Sequence, residues 1–153
     1  MVSVWLPVRQ EVLDDQVPIP AQIPDTLPER RKYLEACRLR DTLPFLQEKY
    51  AEGVTDLRNA LCAHLGFLRL NSFILAAFPG ETFSVTGKAL QDAFPDQMIC
   101  TLTEHERTAM YLPTKADCAR GGYEPACMST APGAEDILRA SAIQAMAQFL
   151  HKA

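Results

Sequence analysis

The sequence has no run of the roughly eighteen apolar residues that a membrane-spanning helix needs, and no basic N-terminal region followed by an apolar stretch and a cleavage site. The expectation is a soluble, cytoplasmic chain without a membrane span. Charge of one sign is also lacking: charged residues are 22% of the total and the net charge is −4, which leaves no global field to hold a polynucleotide or an anionic membrane surface. The basic run Arg30-Arg31-Lys32, continued by Arg38 and Arg40, is interleaved with Glu29, Glu35 and Asp41, the alternation of a solvated helix face. No nucleic-acid partner is expected. Cys37, Cys62, Cys100, Cys118 and Cys127 are odd in number and contain no C-x-x-C pair, so neither a cysteine zinc site nor a complete disulfide framework is signalled. Free thiols are the default, with a bridge between Cys118 and Cys127 left open. The histidines show no H-x-H or H-E-x-x-H spacing, and His64, His105 and His151 read as ordinary residues. Internal repeats and low-complexity segments are absent.

What is present is one domain's worth of chain, 153 residues of which 48% are hydrophobic, enough to bury an ordinary core. Val2 to Val8 reads as a strand and, with its β-branched and aromatic residues, as an interior one. Prolines 18, 20, 24 and 28 then make residues 1–27 a strand plus an extended connector. Residues 28–65 read as a helical excursion. One helix starts near Pro28 and is ended or kinked by Pro44, and a second runs from Phe45 to about His64 with a weak point at Gly53. Residues 66–153 read as an α/β segment. Phe67 to Leu70 and Phe73 to Phe78 form a hairpin about Asn71-Ser72, its second arm apolar enough for burial on both faces. A helix over Thr82 to Phe94 and a strand over Met98 to Leu102 complete a β-α-β unit. A short strand near Ala109 to Leu112 and a helical turn over Thr114 to Arg120 follow. The last helix, from about Ala134 to His151, buries Ile137, Leu138, Ala142, Ile143, Met146, Phe149 and Leu150. The fold class is α/β, a mixed sheet with flanking helices.

Four clusters carry the chemical signal: Phe78-Pro79-Gly80-Glu81, Tyr111-Leu112-Pro113-Thr114, Gly121-Gly122-Tyr123-Glu124 and Ala131-Pro132-Gly133-Ala134. The Pro-Gly-Glu turn ends a buried strand and opens a helix, which sets Glu81 at the C-terminal edge of the sheet, where α/β folds bind ligands. A glutamate in a first helical turn is equally favoured by the helix dipole alone. Tyr111 is open to reading as a strand-end aromatic, and Tyr123 as a packed loop ring.

In their order these clusters resemble the C-terminal third of the catalytic domain of the neutral ceramidase family, zinc-dependent amidohydrolases that cleave N-acyl bonds of ceramides. The likeness runs from about Val4 to Leu150. Val4-Trp5-Leu6-Pro7-Val8-Arg9 is similar to the family's strand before its helical excursion, and Phe78 to Phe83 to its Pro-Gly-Glu-x-Phe turn. Tyr123 follows Tyr111 by twelve residues (123 − 111 = 12), as the family's second tyrosine does. The resemblance implies that Glu81 and Tyr111 are two of four zinc ligands, the others being histidines, and that Tyr123 is a catalytic tyrosine near the substrate carbonyl. The family's histidines, an arginine and a serine lie in a region upstream of what this sequence matches. Glu106 and Thr108 stand where the family usually has an Asn and a Tyr. The expectation is a segment of a zinc amidohydrolase acting on a lipid N-acyl amide, incomplete as an enzyme alone and binding zinc weakly or not at all. Its partner is an upstream ceramidase-like chain or a second copy of itself. The alternative is a stand-alone binding or scaffolding module that kept the fold and lost the metal site.

Overall fold

The computed structural model describes residues 1–9, 19–51, 55–56, 60–105 and 109–152. The chain is mixed α/β: a five-stranded mixed sheet, a separate two-stranded pair, and flanking helices. Strand β1 (Val2–Pro7) runs antiparallel to β3 (Ala60–Leu70), with Val4 opposite Ala63 and Leu6 opposite Leu61. The two-residue β2 (Thr55–Asp56) also pairs with β3. β4 (Phe73–Ala77) returns antiparallel to β3 through a tight turn in which Asn71 has φ 56°, a left-handed position that asparagine tolerates better than most residues. β6 (Met98–Leu102) lies parallel to β4. Helix α2 (Ser84–Ala93) makes the crossover between them, as the β-α-β pattern requires.

Period-two alternation decides which face is inside. Val4, Leu6, Leu61, Ala63, Leu65, Ile74, Ala76 and Ile99 point to one side and are buried. There they meet Leu90 of α2 and Leu138, Ala142 and Met146 of the last helix, α5 (Ala134–Lys152). Each fully buried aliphatic chain contributes about 1.5–3 kcal/mol relative to leaving it in water. The two helices are also joined to each other. Thr86 donates its hydroxyl to the buried Glu135 carboxylate at 2.7 Å, and Arg139 lies 3.1 Å from the same oxygen. The opposite face carries Trp5, Leu68, Met98 and Leu102, each about half exposed or more.

Several expectations need correction. Pro44 does not end its helix: α1 runs unbroken from Leu27 to Ala51. The second helix to His64 is not formed, because residues from Ala60 onward belong to β3, whose Leu61, Ala63 and Leu65 recur at every second position. The β1 strand is an edge, paired only with β3 among the described residues, although its end is anchored where Ala131 donates to the Pro7 carbonyl at 2.7 Å. β4 is buried on the core face, but Phe73 and Leu75 on the other face are only half-buried. Ile137 faces solvent at 43% exposure instead of joining the core. Gly53, Glu106, Thr108 and Pro18 lie outside the described residues.

Candidate functional site

The chain leaves β4 at Phe78, buried and tied to β6 by its amide at 2.8 Å from the Leu102 carbonyl. Pro79 and Gly80 then turn it beneath the segment that leads into β7 (Tyr111–Leu112). Gly80 is obligatory here, because a Cβ at this position would sit 2.5 Å from the Met110 carbonyl oxygen and 2.6 Å from that of Ala109. The close approach lets Glu81 donate its amide to Met110 at 3.0 Å. Glu81 therefore lies in β5 (Glu81–Thr82) and not in the first turn of a helix, which starts at Ser84 and has no acidic residue in its opening turn. A helix-dipole role for Glu81 is removed by that placement.

β5 and β7 run parallel with Glu81 opposite Tyr111 and Thr82 opposite Leu112. Directly paired residues of a strand pair project to the same side. The Tyr111 phenol accordingly lies close enough to the Glu81 carboxylate and to Tyr123 for both to act on it. Burial, the Glu81 charge and the Tyr123 oxygen push the Tyr111 phenol above its ordinary value of 10.0. Leu112, fully buried, anchors the pair to the core.

Tyr123 reaches this place through two caps. Thr114 and Asp117 form a capping box at the start of α3 (Lys115–Arg120): the Thr114 hydroxyl accepts from the Asp117 amide at 3.2 Å, and the Asp117 carboxylate accepts from the Thr114 amide at 3.3 Å. The chain then reverses through Gly121 and Gly122, with φ of 70° and 129°, conformations that side chains other than glycine's resist. Tyr123 is the first residue of α4 (Tyr123–Cys127). Its ring meets that of Tyr111 edge to face, with centroids 5.7 Å apart and planes at 75°, the preferred geometry for an aromatic pair.

Glu81, Tyr111 and Tyr123 thus converge, whereas the histidines do not join them. His64 sits mid-strand opposite Ser3. The His105 imidazole lies about 3.5 Å from where a Cβ on Gly66 would be, and His151 is in the last turn of α5. Among the described residues there is no cluster of three His, Cys, Asp or Glu side chains. Glu81 and Tyr111 offer oxygen atoms of the donor type a metal takes, and among the described residues no His, Cys, Asp or Glu cluster stands beside them. Cys118 and Cys127 are not bridged, and the Cys118 sulfur lies 3.6 Å from that of Met128. No described helix is long and apolar enough to cross a membrane. The wall that α1 builds beside Tyr123, including Leu27, Arg30 and Leu34, was not legible in sequence, where residues 28–40 carry only the pattern of a solvated helix. The chain matches no family model, no curated protein and no solved structure.

Proposed function

We propose that the chain carries the glutamate and tyrosine half of a ceramidase-like zinc amidohydrolase centre, and that histidines from a separate segment or partner polypeptide complete it. The observation that supports this most directly is the pairing of Glu81 with Tyr111 across two parallel strands, with Tyr123 beside them. A carboxylate and a phenol side by side are oxygen donors that a zinc ion could take. When bound, the ion would supply Lewis-acid charge against an amide carbonyl and an attacking water. The Glu81 charge holds the proton on Tyr111, and a cation between the two would offset that charge and favour loss of the proton. Tyr123, 40% exposed, is the phenol that would stabilise charge developing on the carbonyl oxygen.

Zinc centres take three or four protein ligands, so the isolated chain is expected to bind zinc weakly. Free imidazole at tens of millimolar stands in for the absent histidines. Zinc affinity, measured by competition with a chromogenic chelator, should rise with imidazole and lose that rise in Glu81→Gln and Tyr111→Phe. Imidazole-independent binding, or binding indifferent to both substitutions, would refute the metal role. It would favour the second reading, a binding module in which Glu81, Tyr111 and Tyr123 form a structural hydrogen-bonded cluster.

A further inference from the structure

The Tyr123 ring that packs on Tyr111 also lines a hollow of about 400 Å3 between α1 and α4, together with Leu27, Arg30, Arg31, Leu34 and Glu35. A second hollow, of about 590 Å3, shares Leu27, Arg31 and Glu35 with the first and adds Lys32, Arg120 and the Gly121-Gly122 turn to its lining. The two form one groove. Volumes of about 300–1,000 Å3 are those of small-molecule sites. Leu27 is 80% and Leu34 60% exposed, which with Tyr123 puts three uncovered apolar side chains around one hollow.

The groove is charged in one sense. Four cations line it, Arg30, Arg31, Lys32 and Arg120, against the single carboxylate of Glu35. Arg31 is taken up by Glu35 at 3.2 Å, and Arg120 by Asp117. Arg30 donates its Nε to the Pro24 carbonyl at 2.7 Å, which fixes the guanidinium without neutralising it. Among the described residues Arg30 and Lys32 therefore have no carboxylate partner, and their positive charge lies beside an apolar wall.

We infer that this groove binds a single-chain amphiphile with an anionic end. The aliphatic chain lies against Leu27 and Leu34, and the negative charge meets Arg30 and Lys32. For the amidohydrolase reading, on which this extension rests, the substrate class becomes a long-chain acyl amide that bears a carboxylate. The amide would lie near Tyr123, whose ring packs on Tyr111.

A matched pair of probes separates charge from chain. N-dodecanoylglycine and N-dodecanoylethanolamine, both below their aggregation concentrations, share chain and amide and differ in the charge of the end group. Titration calorimetry on the metal-free chain should give saturable binding of the glycine conjugate about tenfold tighter than the neutral one, as charge-assisted contacts imply. The difference should fall below about threefold in the double variant Arg30→Gln, Lys32→Gln, and should shrink in high salt. Both side chains are exposed, so the variant keeps the fold. Leu34→Asp should weaken both probes. Equal affinity for the two probes, no saturable binding of either, or full preference in the double variant would overturn the inference. None of these readouts involves zinc, so their failure leaves the Glu81, Tyr111 and Tyr123 cluster standing, and failure of the zinc measurement leaves the groove standing.

Discussion

Gly80 is the residue on which the site geometry turns. It has no left-handed φ to explain it; the constraint is the main chain of Ala109 and Met110 passing within about 2.6 Å of a would-be Cβ. Backbone cannot swing aside as a flexible side chain can. Gly80→Ala should lower stability by about 1–3 kcal/mol, the usual penalty for forcing atoms into a packed place, and should separate β5 from β7. Denaturant unfolding checks the first, and loss of the Tyr111 shift described below checks the second. Gly121 and Gly122 are different: a Cβ at either meets nothing within 4 Å, so their cost on substitution is one of conformation alone. In the sequence, Pro-Gly-Glu was visible as a turn, but the steric reason for its glycine depends on residues 29 and 30 positions later and is not written in any local pattern.

At the level of elements, alternation and periodicity were legible wherever one period held. β1, β4, β6, α2 and α5 fall close to where their patterns put them. The expected helix fails around Ala60. Ala60-Leu61-Cys62-Ala63-His64-Leu65 contains small apolar residues on both faces, so it satisfies a helical stripe and a strand alternation equally, and the pairing of Leu61 with Leu6 and Ala63 with Val4 decides in favour of the strand. The capping box at α3 gives an element-scale test. Thr114→Ala should cost about 1 kcal/mol. The Thr114 hydroxyl, and then Arg120, hold the Asp117 carboxyl below its ordinary value of 3.8. A lowered folded-state pKa stabilises above the unfolded value and is lost as pH falls through the folded one. Stability of the native chain should therefore drop at pH below about 3.8, and the Thr114→Ala variant should show a smaller drop across the same range in urea titrations.

For the whole molecule, the described residues put helices over one face of the sheet and none over the other. Trp5, Leu68, Leu70, Met98 and Leu102 are 46–65% exposed on that second face or its margin, and apolar patches of a few hundred Å2 or more are unusual on monomers. Apart from the Ala131 contact at Pro7, the β1 and β6 edges pair with no further strand among the described residues, and free edges template association. In the isolated chain the available cover is a second copy, so light scattering should give a mass above 17.0 kDa that falls on dilution, and Trp5→Lys with Leu68→Lys should shift it to monomer. A native chain that stays monomeric at all concentrations and binds no hydrophobic dye would mean that this face is tolerated bare.

Convergence of Glu81, Tyr111 and Tyr123 underlies the proposed centre, and the Tyr111 phenol reports on it directly. The chain has four tyrosines, so labelling their ring Cζ carbons with 13C gives four resonances that can be titrated separately by NMR and assigned by Tyr→Phe substitution. If the three side chains share one cleft, the Tyr111 midpoint lies above 10.0. It moves down toward that value in Glu81→Gln, which removes the carboxylate charge, and less far in Tyr123→Phe. The raised phenol also fixes a sign: its contribution to stability is complete below pH 10.0 and is lost as pH rises through the higher folded value. A Tyr111 midpoint at its ordinary value, or one indifferent to Glu81→Gln, would mean that the two side chains do not meet and that neither a metal nor a catalytic role can be assigned to them.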